Sequence, residues 1–182
     1  MKNNINARST FVLASASCAA ALLVCALPSA WAQEKQKLSY TVSAADSKYT
    51  KREMLEVGDA VGHTVGIFEI HRMFPANAPA INGVKLKESW TRGYSDYVSK
   101  SNGLSTNYTI FVMENGDKFF THSRTMGQAD AAGKRTTTGV GEVIGGTGKL
   151  VTMKGVVRSN GISDGAKGFN ETKSEIEYWF AK

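Results

Sequence analysis

Along much of the chain, apolar and polar residues alternate with a period of two, and the runs are punctuated by Gly, Asn, Asp and Ser. Successive strand side chains point to opposite faces, so this pattern predicts strands. Residues 62–72 place His63, Val65, Ile67, Glu69 and His71 on one face. Thr64, Gly66, Phe68, Ile70 and Arg72 take the other. Both faces are mixed, which fits a barrel strand beside a cavity better than a sandwich strand with one dry face. Residues 104–114 and 118–126 flank Asn115-Gly116-Asp117, the strongest short hairpin signal, because the central positions of such turns need a positive φ.

Residues 134–144, 149–159 and 171–180 predict further strands. The last sets Thr172, Ser174, Ile176, Tyr178 and Phe180 against a more exposed row of Lys173, Glu175, Glu177 and Trp179. Residues 49–57 fit a strand better than a helix capped by Ser47. Residues 73–82, which hold Pro75 and Pro79, and residues 160–170 are expected to be loops. The result is eight or nine strands and no long helix, hence an all-β barrel or sandwich. Closure into a barrel would remove the free edges.

The first 32 residues break this pattern. Lys2 and Arg8 precede an uncharged run from Phe11 to Leu27, Pro28 ends it, and Ala30-Trp31-Ala32 offers small residues where a signal peptidase reads. Cleavage before Gln33 leaves a single domain, 33–182, expected in the periplasm or secreted, with no stable membrane insertion once the signal is gone. Cys18 and Cys25 leave with the signal, which removes disulfides, thiolate metal sites and cysteine nucleophiles from the mature chain. The chain of 182 residues carries a net charge of +6; without Lys2 and Arg8 it has 20 basic against 16 acidic residues. That excess is too small and scattered for a nucleic-acid footprint, despite the basic, aromatic row of Lys118, Phe120, His122 and Arg124. Asn107-Tyr108-Thr109 and Asn170-Glu171-Thr172 match the glycosylation pattern, relevant only in a eukaryotic secretory route; the plain Ala-rich signal reads as bacterial.

The segment from Gly139 through Gly145-Gly146-Thr147-Gly148-Lys149-Leu150, with Gly155 in the following strand, resembles a signature of the allene oxide cyclase and dirigent barrel group. The resemblance covers about residues 104–159. It implies an eight-stranded antiparallel, calycin-like β-barrel, a homo-oligomer (dimer or trimer), and a small hydrophobic molecule as partner. It implies no cofactor. It leaves open whether the chain is a binder or a cofactor-free cyclase or isomerase. The turn is not a phosphate loop: Val143 and Leu150 stand where that motif needs Gly and Ser or Thr.

Neither Gly-x-Ser-x-Gly nor His-Glu-x-x-His occurs. His63 and His71, eight apart on one strand, would lie roughly 27 Å apart at about 3.3 Å per residue and cannot share a metal ion. Glu69 and His71 share a face, and with Arg124 from another strand they form the candidate catalytic set, a carboxylate beside an imidazole. Trp90, Tyr94, Tyr108 and Tyr178 are the candidate ligand-binding aromatics, since each presents an apolar body and one polar tip. Three functions follow: a ligand-binding or cyclising barrel, an envelope-associated interaction barrel, and a hydrolase using Glu69 and His71.

Overall fold

A computed structural model describes residues 34–99, 102–164 and 169–182. The predicted signal segment, residues 1–32, lies outside them. The described chain is all-β and antiparallel. Its strands are β1 (Gln36–Ser43), β2 (Ser47–Glu56), β3 (Thr64–Met73), β4 (Ala80–Ile81), β5 (Val84–Ser99), β6 (Asn102–Met113), β7 (Lys118–Ala129), β8 (Lys134–Gly146), β9 (Met153–Asp164) and β10 (Phe169–Phe180). The ladders run in the order β1-β10-β9-β8-β7-β6-β5-β3-β2, with β4 as a short flap on β5.

This corrects the eight-stranded count to ten, and no ladder joins β1 to β2. The sheet nevertheless curls, because the Tyr40 ring of β1 stands edge-on to Phe111 of β6 at 6.0 Å. The same ring meets Phe74, just after β3, at 5.3 Å. Aromatic packing therefore ties β1 to β6 and to the segment after β3. The short β1–β2 turn is tied by Ser43 Oγ donating to Asp46 Oδ2 at 2.8 Å. Met73 N reaches back to Asp46 O at 3.0 Å.

The β6–β7 hairpin forms where the sequence predicts it. Gly116 adopts φ 87°, and Asn115 Oδ1 accepts from Asp117 N at 3.0 Å. Asn82-Gly83 makes a second tight hairpin between β4 and β5, inside and just after the stretch expected to be loop. Residues 149–159 are only partly strand. Gly148, at φ 53°, opens a 3-10 turn over Gly148–Leu150 that drives Leu150 into the core, so β9 begins at Met153. Thr147 Oγ1 accepts from Lys118 N at 2.9 Å, so the glycine-rich turn clasps the start of β7. Of residues 160–170, expected to be a loop, the described ones, 160–164 and 169–170, are paired strand, with Asp164 of β9 opposite Phe169 of β10 and Gly161 opposite Thr172. Thr137 Oγ1 approaches the α-carbon of Gly161 so closely that a Cβ would not fit, so this glycine marks close packing rather than a turn.

The core fills one half of the curled sheet. Phe119, Met153 and Ile176 are fully buried there, with Phe111 stacked on Phe119 at 4.4 Å between centroids.

Candidate functional site

The inward positions change chemistry along each strand. On β6 they run Ser105, Asn107, Thr109, then Phe111 and Met113; on β10 they run Thr172, Ser174, then Ile176 and Tyr178. On β7 the order is reversed, as antiparallel pairing requires: Phe119 is followed by Thr121, Ser123 and Thr125. One half of the interior is thus a packed apolar floor and the other a cavity of about 340 Å³ walled largely by hydroxyls. Phe68, Ile70, Phe111 and Val157 are among the residues that supply its apolar surface.

Arg72 of β3 faces into this cavity. Its Nη1 donates to Thr91 Oγ1 at 2.8 Å, and Thr91 Oγ1 lies 2.9 Å from Thr109 Oγ1. Burial pushes the Arg72 guanidinium below its ordinary pKa, opposed by the Tyr40 and Tyr49 phenols. No carboxylate pairs with it among the described residues. Burial likewise raises the Tyr40 hydroxyl, although a hydrogen bond with Ser174 and the charge of Arg72 work against the shift. Asn107 donates to Thr125 Oγ1 at 3.2 Å, while its buried Oδ1 accepts no bond from the protein. Arg135 stands at the same cavity with its guanidinium 5.0 Å from the Tyr97 ring centroid.

The sequence-predicted catalytic set does not meet in this cavity. Glu69, His71 and Arg124 are on the outer face, because their strand parity is opposite to that of the lining residues. Glu69 accepts from Thr50 Oγ1 at 2.6 Å and Arg92 Nε at 2.7 Å. Those bonds, Thr50 first, hold its carboxyl below the usual range against desolvation. His71 stacks on Trp90 at 4.1 Å, with Nε2 2.7 Å from Glu88 Oε2. Arg124 is exposed on β7, with β5 and β6 between it and β3. Glu69 and His71 thus each have another partner, an arrangement that gives a hydrolase no shared acid–base pair.

Three of the four predicted ligand-binding aromatics are outside as well. Trp90 lies under His71, Tyr94 is exposed, and Tyr108 stacks on His122 at 4.5 Å. Tyr178 does point inward but belongs to the floor, where its hydroxyl donates to Gln36 Oε1 at 2.6 Å. The lining residues Arg72 and Thr91 carry no familiar motif, and Asn107 carries only the glycosylation pattern. The signal that finds them is the run of small hydroxyl residues at every second position of several strands. Asn107 turns inward, where its folded environment has no room for a glycan. No cluster of three metal-ligating side chains occurs among the described residues.

No family model matches the chain, and no curated protein matches it. Among solved structures it is similar to that of a pterocarpan synthase dirigent protein, with 14% sequence identity, 82% of this chain and 90% of that chain covered, and a TM-score of 0.47.

Proposed function

We propose that the mature chain is an exported, barrel-like protein, periplasmic or secreted, that holds a small molecule in its interior without a cofactor. The observation that carries this reading is the split interior: a sealed apolar floor beneath a hydroxyl-walled cavity of about 340 Å³. That volume is at the lower end of the range that small-molecule sites occupy. A side chain lining optimised only for stability would continue the floor, since buried hydroxyls contribute less than packed apolar groups. The ligand that fits has an apolar body, which meets Phe68, Ile70 and Phe111, and polar edges, which meet the serines and threonines. Any catalysis here is cyclisation or isomerisation by confinement, with the cavity holding a flexible substrate in one near-reactive shape.

Native mass spectrometry of the protein purified from its own host tests this. The expected result is a bound mass of small-molecule size that is lost on denaturation. It should also be absent from Ser123→Trp, which fills the cavity. An unliganded spectrum for both proteins counts against the reading.

A second reading, an interaction or self-associating barrel, has its own observation. Ile67 and Tyr94 are directly paired across β3 and β5, Leu104 and Met126 across β6 and β7, and Val140 lies diagonal to Met126. All five are exposed and form one outer apolar patch. Light scattering distinguishes the readings, since a dimer or trimer that dissociates in Met126→Glu assigns the patch to self-association.

A further inference from the structure

Resting on the cavity reading above, we propose that the molecule held there is an organic acid whose carboxylate is received by Arg72. A guanidinium offers five donors in a rigid fork. In the folded chain one of them, at Nη1, is used by Thr91 Oγ1. The titratable groups that act on it are the phenols Tyr40 and Tyr49, and burial raises the Tyr40 hydroxyl above its ordinary value. A charge withdrawn from water is costly unless paired. Glu69 and Glu88, the carboxylates nearest in sequence to this stretch of β3 and β5, are turned outward and engaged by Arg92 and His71. The guanidinium is therefore poised toward a lumen with no counter-ion of its own among the described residues. A carboxylate is the planar, bidentate group that its fork matches.

The rest of the cavity narrows the class further. Asn107 Oδ1 is buried and accepts no bond from the protein, so it is matched by a hydroxyl or amide donor on the ligand. Phe68 and Phe111 offer ring surface in the same cavity. The ligand class is thus a small hydroxylated acid with an apolar or aromatic centre.

The test uses protein purified after expression of the full-length chain, with 4-hydroxyphenylacetate and its isosteric neutral amide as probes in calorimetric titrations. The acid should bind at least about tenfold more tightly than the amide, a difference of about 1.4 kcal/mol. Arg72→Met should abolish that preference while the amide affinity stays put. The variant should fold, because it removes an unpaired charge, and its melting temperature should equal or exceed that of the parent. Arg72→Lys keeps the charge but loses the fork, and should retain part of the preference. Equal binding of acid and amide, or a preference that survives in Arg72→Met, overturns the assignment of Arg72 and leaves the cavity reading standing. Failure of both probes to bind the parent overturns the acid assignment, and the co-purified mass then decides the cavity reading separately.

Discussion

Arg72 and Glu69 are three residues apart on β3 and face opposite ways. The period of two separates these faces correctly but does not say which is inside. Both faces of residues 62–72 are mixed, so polarity could not choose, and a carboxylate beside an imidazole drew attention to the outer one. The ladders settle it: Ile70 and Phe68 are inward with Arg72, while Ile67, Glu69 and His71 are outward. Glu69→Gln is therefore expected to leave the affinity of a cavity-bound probe unchanged in a titration; a loss of binding would return Glu69 to the site. The floor makes a stronger energetic demand. Phe119 is fully buried and stacked on Phe111, so Phe119→Ala should cost about 3–5 kcal/mol in urea unfolding. A cost below about 1 kcal/mol would show that the floor is loosely packed.

At the level of elements, the long alternating strands and the Asn-Gly hairpin were legible, and their ends were not. β9 continues through Gly161 and Ser163, paired with both β8 and β10; at Gly161 the facing Thr137 leaves no room for a Cβ, a constraint that exists only after folding. The loop between β2 and β3 carries a device that spacing alone did not reveal. His63 Nδ1 is 2.6 Å from Asp59 Oδ1, and Nε2 is 2.9 Å from Asp96 Oδ1 on β5. The Asp96 bond first, then that of Asp59, raises the His63 pKa above its ordinary 6.5, against desolvation. A raised folded value means that protonated His63 stabilises the fold fully below the unfolded pKa, and that this contribution fades as pH rises through the folded one. Thermal melts should therefore show a stability loss beginning near pH 6.5 that is missing in His63→Gln; identical pH profiles would contradict the clamp. Among the described residues β2 pairs only with β3, and it is mostly exposed. Its amides should exchange with deuterium faster than those of β6 and β7, which are paired on both sides.

For the whole molecule, counting strands and naming their alternation predicted an antiparallel all-β domain. It did not predict an unpaired seam, because closure depends on register and on the rings of Tyr40, Phe74 and Phe111 meeting across the chain. Nor did it predict a half-filled interior, which appears only when hydroxyls from distant strands are brought to one level. The account rests on that interior, rather than the outer apolar patch, receiving the small molecule. Isotope-filtered nuclear Overhauser measurements on the complex with 4-hydroxyphenylacetate decide between the two faces. The account predicts contacts from the probe to the methyl groups of Ile70, Thr91 and Thr109, with none to Ile67, Met126 and Val140. Contacts confined to Ile67, Met126 and Val140 would contradict it.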